Sequence, residues 1–460
     1  MQLTTIISEG LAHRAYVVSD AGMAAVIDPG RDIDRCLEAA ADAGCRIIHI
    51  FETHRNEDYI SGAAELSQRT GAPVWRGKSP DFNVPYARTI FPEQRFEFGE
   101  LRLTALETPG HTDDSISVVL THLATGDSPV GVFIGDALFV GDVGRTDFYP
   151  DRAEAVAGLL FDSLHERLLP LGDQTIIYPA HGAGSVCGAG IAKRDFSTIG
   201  EERANNPRLQ LDRAAFIAAK TAEHHYIPPY FARMEAANIG ESPELGPLPA
   251  PQSMSVKQVR ESMKAGAQLL DLRGDQAIAG ACIAEAIAVP LDMLASFGGW
   301  FLKYDRPIVL LLEDPKDLDK AVRTLVRIGY DRLEGFVGDG FEAWSTAAQP
   351  LERIEGIDVH ELKRRLASGE PPLLIDVRAL DEYESGHIDP SVHHYVGQIE
   401  AVAPEVPAER ALVTFCNSGK RALVAAAALH RLGHAQVSVC WGSMKAWKVS
   451  GYAVAGGQKT

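Results

Sequence analysis

The chain has 460 residues, 46% hydrophobic and 23% charged, and its 44 basic against 62 acidic residues leave a net charge of −18. That length exceeds one ordinary core, so two to four domains are expected, and the acidic balance disfavours nucleic acid or anionic membrane as partners while leaving room for a local anion pocket. No apolar run nears the roughly 20 residues of a membrane span, MQLTTIISEGLAHRAYVV lacks the features of a signal peptide, and six scattered cysteines without a CxxC pair point to a reducing, cytoplasmic setting.

Residues 1 to about 200 alternate short β-type runs with amphipathic helical stretches. The patterns predict strands at Tyr16–Ser19, Ala24–Asp28, Arg46–Phe51, Leu101–Leu106, Ile116–Leu120, Val130–Ile134 and Thr175–Tyr178, and helices at Ile33–Ala43, Ala63–Arg69 and Ala153–Leu168. Residues 200–255 lose that rhythm. After one predicted helix come YIPPYF and ESPELGPLPAPQ, which read as a connector and linker. Beyond it LLDLR (269–273) recurs as LLIDVR (373–378), IVLLLE (308–313) as ALVTFC (411–416), and GFEAW (340–344) as SMKAW (443–447). Three landmarks at nearly one offset argue for two copies of one α/β unit.

Four motifs in the first 200 residues each follow a strand: ETHRNED (52–58), TPGHTDDS (108–115), IGDALFVGDVGRTD (134–147) and YPAHG (178–182). Strand ends feeding loops are where rigid scaffolds display ligands. A lone His there reads as a hydrogen-bonded structural residue. Three His and one Asp at such exits read as a metal site.

On these motifs residues 1–240 resemble the metallo-β-lactamase superfamily, and most closely its persulfide dioxygenase branch. The superfamily's first motif is HxHxDH; here His54 and Asp58 fit, but Asn56 and Tyr59 stand where His is expected. The resemblance implies one metal position kept by His54, His111 and Asp136. Two imidazoles and one carboxylate suit a single non-haem Fe(II) per chain and leave positions open for substrate and O2. The second position keeps Asp58 and His181 but has Tyr59, and is expected to be empty, with these three residues orienting ligands or water instead. Arg145 either holds an anionic thiol carrier through its guanidinium fork or stabilises its own loop. Cys187, six residues past His181, either relays a sulfane sulfur near the metal or is a plain buried Cys. His13, His49 and His122 read as structural or surface residues, and YIPPYF as a channel wall by analogy of fold.

In the second repeat the strand ALVTF ends at CNSGKRA and a helical run follows. Cys416 thus opens a loop at a helix N-terminus, where N–H groups and the dipole stabilise a thiolate or persulfide anion, with Lys420 and Arg421 adding positive charge. This pattern resembles the active loop of rhodaneses, with Cys416 and Arg421 in the catalytic role, and its polar flanks suggest an exposed Cys. Cys440, in VSVCW, reads as core. In the first repeat Glu313 takes the Cys416 position, the loop reads EDPKDL, and its carboxylates are expected to fill the helix N-terminus. Cys282 lies far from that loop and does not rescue it.

The resemblances imply an α/β chain: a metallo-β-lactamase αββα sandwich with connector at 1–245, a rhodanese-like pseudo-domain without the catalytic Cys at 253–350, and a rhodanese domain at 355–460. The activity they imply is oxidation of a thiol persulfide by O2 to sulfite, with sulfur transfer through Cys416 forming thiosulfate. The thiol is glutathione, coenzyme A or another carrier, and the protein is expected to be a homo-oligomer. A zinc-dependent thioester hydrolase of the glyoxalase II type and a non-catalytic sulfane-sulfur-binding protein are the alternatives.

Overall fold

The computed structural model describes residues 1–186, 188, 190–240, 244–405 and 410–456. These form two compact units, Met1–Leu248 with Arg323–Gly329, and Pro249–Val322 with Tyr330–Thr460.

In the first unit two six-stranded sheets stack face to face. One runs in chain order through Gln2–Ser8, His13–Asp20, Met23–Ile27, Arg46–Glu52, Val74–Arg76 and Ala87–Thr89. The other is ordered Ser197–Thr198, Ile176–Pro179, Pro129–Gly135, Ile116–His122, Leu101–Glu107 and Arg95–Phe98. Alternate residues of both point inward, so Val18, Ile27, Phe51, Phe98, Leu103, Val118 and Phe133 share one core between the sheets. The outer face of the first sheet is covered by helices Asp34–Asp42 and Ala63–Thr70, whose Cys36, Ala40, Ala63 and Leu66 meet Val17, Val26 and Ile50. The outer face of the second is covered by helix Ala153–Asp162 and its π-wound continuation Ser163–Leu168, through Leu160, Leu164 and Leu168. Helix, sheet, sheet, helix: this is the expected αββα sandwich.

All seven strands expected in this half are present. The shorter Val74–Arg76, Ala87–Thr89, Arg95–Phe98 and Ser197–Thr198, and the N-terminal Gln2–Ser8, were not expected. Residues 200–255 depart from the sequence reading. Instead of one helix and a connector there are helices Ile199–Asn205, Arg213–Thr221 and Phe231–Ile239, each too short to show a period between the prolines. Among the described residues no helix is long and apolar enough to cross a membrane.

The second unit contains the repeat, and the copies agree strand by strand. The first parallel sheet runs Gln252–Met254, Leu333–Val337, Ile308–Leu311, Gln268–Asp271, Ile287–Ala288; the second runs Glu355–Ile357, Val437–Cys440, Leu412–Phe415, Leu373–Asp376, Val392–His393. Each copy opens its first helix with a side-chain cap, Ser255 in one and Asp358 in the other. The LLDLR and LLIDVR segments form the same device twice. Arg273 forks onto Asp271 at 2.9 and 2.6 Å, and Arg378 onto Asp376 at 2.9 and 2.6 Å, each also donating to a loop carbonyl eight residues later. Trp344 and Trp447 are both buried in the cores of their copies. The copies also pack on one another. Trp300 lies against Tyr395, ring centroids 5.6 Å apart, and over Gly397, where an added Cβ would come within 2.4 Å of the indole.

Because the two indoles fill equivalent sites, Trp344→Ala and Trp447→Ala should each cost about 3–5 kcal/mol. Chemical denaturation followed by circular dichroism checks this, with a similar fall in midpoint expected for both.

Candidate metal centre and cysteine loop

His54, His111, Asp136 and His181 all stand just beyond strand ends at one edge of the sandwich. The strand Arg46–Glu52 delivers Thr53 and His54. The imidazole of His54 is held from behind: Asp28 accepts from the Thr53 backbone N–H at 2.7 Å and from its hydroxyl at 2.8 Å. An ionised Asp28 only accepts, so the Thr53 oxygen is left to accept from His54 Nδ1, 2.9 Å away. Nδ1 then carries the proton and Nε2 keeps its lone pair. Gly135 makes this contact possible; its φ is +53°, and an added Cβ would sit 2.6 Å from the Thr53 hydroxyl oxygen.

His111 follows the same logic. Its loop is pinned by Ser163 Oγ donating to the Pro109 carbonyl (2.7 Å) and by Thr112 donating to Asp114 (2.7 Å), itself bound to Arg76 at 2.7 Å. Nδ1 of His111 lies 3.0 Å from the Arg145 carbonyl, an acceptor only, which again leaves the lone pair on Nε2. The two rings stand edge to face, 4.9 Å between centroids. Both Nε2 atoms are buried without a hydrogen-bond partner, and Asp136 Oδ2 lies 3.9 Å from that of His54 and 3.7 Å from that of His111. Among the described residues His54, His111 and Asp136 form the group of ligand atoms close enough to hold one metal ion, all within 4.8 Å of each other. Two orphaned, correctly protonated imidazole nitrogens facing one carboxylate fit a divalent ion.

Electrostatics agree for His54 and Asp136, while for His111 burial is outweighed by the Glu57 and Asp136 carboxylates, which raise its pKa. Burial pushes His54 down to about 4, so it is neutral at working pH. Burial works against ionisation of Asp136, but the surrounding His181, His54 and His111 outweigh it and hold the carboxyl below the usual range. Asp28 is pushed up to about 7, burial outweighing its two Thr53 hydrogen bonds.

At the second metal position the side chains lie close together, with both Asp58 oxygens buried and lacking a hydrogen-bond partner. His181 Nδ1 meets both oxygens of Asp136 at 2.8 and 2.9 Å, and its Nε2 lies 2.9 Å from Asp58 Oδ2. Tyr59 does not join this network; its ring packs on His13 at 4.0 Å and its buried hydroxyl has no hydrogen-bond partner. His13, read from sequence as structural or surface, is thus buried beside the centre and bridges backbone to His181. Asn56 donates only to the His54 carbonyl, at 3.3 Å. Sequence reasoning missed two carboxylates: Asp28, signalled only by VIDPG at a strand end, and Glu57, hidden at a free position of HxHxDH, whose Oε2 lies 3.6 Å from His111 Nε2. Arg145 is placed beside its own loop's carboxylate. Fully buried, it forks onto Asp147 at 2.7 and 2.6 Å and stacks on Phe148, so it stabilises its own loop. Cys187 lies outside the described residues. Tyr230 and Phe231 of YIPPYF are buried, the latter 5.8 Å from the Arg145 guanidinium, and form core around it. His49 accepts from Trp75, and His122 lies near Glu100 at the surface, both as expected.

In the second unit Cys416 ends strand Leu412–Phe415 and helix Lys420–Arg431 begins four residues later, with Gly419 as N-cap. Gly419 N–H donates to Cys416 Sγ at 3.1 Å. The expectation of an exposed Cys fails: Cys416 is 1% exposed. The turn at Gly442–Lys445 explains it, because Cys416 N–H donates to Ser443 Oγ while the N–H groups of Met444 and Lys445 close on the Cys416 and Asn417 carbonyls at 3.0 Å. Arg421 turns to Glu382, 2.6 and 2.8 Å, and Lys420 pairs with Asp292 of the other copy, so both expected anion-binding cations already carry carboxylates. Cys440 is core, its thiol pushed up to about 12 by burial. In the first copy Asp314 caps the turn at Pro315–Asp317, as expected, whereas Glu313 turns away and accepts from the N–H of Gly274, the N-cap of helix Asp275–Gly280, at 2.6 Å.

Residues 9–181 match the metallo-beta-lactamase superfamily and residues 358–450 the rhodanese-like domain family. The chain is 29% identical to the mitochondrial persulfide dioxygenase ETHE1 of Bos taurus over 200 residues, 42% of this chain and 69% of the relative. It is 30% identical to a hydroxyacylglutathione hydrolase of a Synechococcus strain over 230 residues, 44% of this chain and 84% of the relative. Among solved structures, a metallo-beta-lactamase from Staphylococcus aureus aligns with a TM-score of 0.65 and 29% identity, covering 73% of this chain and 98% of that one.

Two predictions follow from this geometry. Asp28→Asn should lower divalent-metal affinity about 10- to 100-fold, because His54 Nδ1 loses its anchored acceptor. The gap from wild type should shrink as pH falls through about 7, where Asp28 itself takes up a proton; competition against a metal indicator measures both. Glu382→Gln removes the charge that neutralises Arg421, leaving an unbalanced cation near Cys416. Alkylation of Cys416 by the anion iodoacetate should then gain in rate over alkylation by neutral iodoacetamide, both read at one pH.

Proposed function

The chain belongs to the metallo-β-lactamase superfamily and carries a C-terminal rhodanese-like domain, and on that premise we propose that it is an iron-dependent persulfide dioxygenase coupled to a sulfurtransferase. The observation that carries this reading is the pair of Nε2 atoms without hydrogen-bond partners facing Asp136, beside a second position where Tyr59, packed on His13, stands in place of a histidine. Three protein ligands on one ion leave room for a sulfur ligand and O2, whereas a two-metal hydrolase needs both positions. Similarity to the persulfide dioxygenase supports the same choice.

Fe(II) held by His54, His111 and Asp136 would bring O2 and the persulfide together and activate O2, the four electrons coming from the sulfane sulfur as it is oxidised to sulfite. The chain's own residues bind and orient: Asp28 through Thr53, and the Arg145 carbonyl, fix the two imidazoles, and His181 fixes Asp136. The net reaction takes R–S–SH, O2 and water to R–SH and sulfite, with release of two protons. At the second site Cys416 accepts the sulfane sulfur of another persulfide. The Gly419 N–H and the start of the Lys420–Arg431 helix stabilise the resulting persulfide anion, and attack by sulfite releases thiosulfate and the thiolate. We assign the first activity to residues 1–245 and the second to 355–460, with 253–350 a pseudo-domain that has Glu313 in place of the thiol and Asp314 capping the turn behind it. Glutathione, coenzyme A or a similar thiol carries the persulfide.

Replacing His54, His111 or Asp136 by Ala should abolish iron loading and oxygen uptake with a thiol persulfide. Cys416→Ser should keep oxygen uptake but release sulfite in place of most thiosulfate, compared at initial rates. Zinc-dependent hydrolysis of a glutathione thioester without oxygen uptake would instead favour the hydrolase reading.

A further inference from the structure

We propose that Glu57 is a specificity-determining residue of the metal centre, its carboxylate favouring neutral, protonated sulfur ligands and opposing small anions. The inference rests on His54, His111 and Asp136 holding one divalent ion. Glu57 is buried, and its Oε2 lies 3.6 Å from His111 Nε2, the same atom that lies 3.7 Å from Asp136 Oδ2. It stands outside the group of three mutually close ligand atoms, so it flanks the centre instead of completing it.

Charge counting gives its consequence. His54 and His111 are neutral as ligands. Asp136 and Glu57 bring two carboxylates to one divalent ion, so an entering anion loses its hydration where Glu57 has offset the positive charge that the three ligands leave. It also meets the Glu57 carboxylate; like charges about 5 Å apart at an effective dielectric constant near 20 weaken binding on the order of a hundredfold. A ligand carrying S–H avoids both penalties, because a carboxylate accepts the hydrogen bond that such a group donates. The substrate class that fits is the hydropersulfide R–S–SH, and free sulfite is disfavoured at the same place.

The test loads the full-length protein with Co(II), whose visible bands respond to ligand exchange, and titrates azide as the anion and imidazole as the neutral control. Glu57→Gln should bind azide at least about tenfold tighter than wild type, with imidazole affinity shifting less than about threefold. Glu57→Asp, which keeps the charge, should stay near wild type. Equal azide affinity in wild type and Glu57→Gln overturns the inference. Tightening of azide and imidazole together also overturns it, since that marks a site merely opened. If Glu57→Gln holds no cobalt, Glu57→Ala is read by the same criteria, and loss of cobalt from both overturns the inference by making Glu57 a ligand. A wild-type chain that takes up no stoichiometric Co(II) is a different failure, that of the ligand assignment, and shows in the metal content before any azide is added.

Discussion

Two buried imidazoles, each with Nδ1 committed as a donor and Nε2 left without a partner, set the terms for the first unit. An unpaired buried polar atom costs about 1–3 kcal/mol, and here two of them face one carboxylate that also loses its hydration. The fold bears that cost because the atoms behind the rings are fixed by the sheets. Asp28 ends one strand, Thr53 follows its neighbour, and Gly135 on the facing sheet leaves just enough room for Thr53 to lie between Asp28 and His54. Scaffold and site are therefore one problem: the sandwich brings strand ends to one edge, and hydrogen bonds running back into it choose the tautomers.

The second unit shows the opposite history of a site. Two copies of one topology share the buried Asp–Arg fork and the buried Trp, yet differ where chemistry is expected. In one, a thiol stands before a helix N-terminus; in the other, Asp314 caps the turn there and Glu313, in the thiol's place, accepts from Gly274 at the start of another helix. The core has been kept where packing demands it. The loop has diverged where packing does not.

Much of this was legible in the sequence, for identifiable reasons. The repeat was visible because burial of Asp271, Arg273 and Trp344 and of their counterparts constrains residue type, and type is what a sequence displays. His54, His111 and Asp136 were visible through motif spacing. Glu57 was not, because it occupies a position on which the motif is silent. The state of Arg421 was hidden because its partner Glu382 lies 39 residues away in sequence, and the burial of Cys416 because a turn 26–29 residues downstream folds over a locally polar loop. Arg145 could have been read better: Asp147, two residues on, was in view. The helices between residues 199 and 239 were missed because each is short and prolines interrupt the apolar period.

On the proposed reading the first unit has one catalytic metal position and not two, because Tyr59, packed on His13, leaves the second position one imidazole short. Anaerobic titration of the metal-free chain with Fe(II), read as bound iron per chain by elemental analysis after removal of free metal, tests this most directly. The account predicts saturation at one ion per chain, unchanged when Asp58 is replaced by Asn. Saturation at two, falling to one in Asp58→Asn, would contradict it.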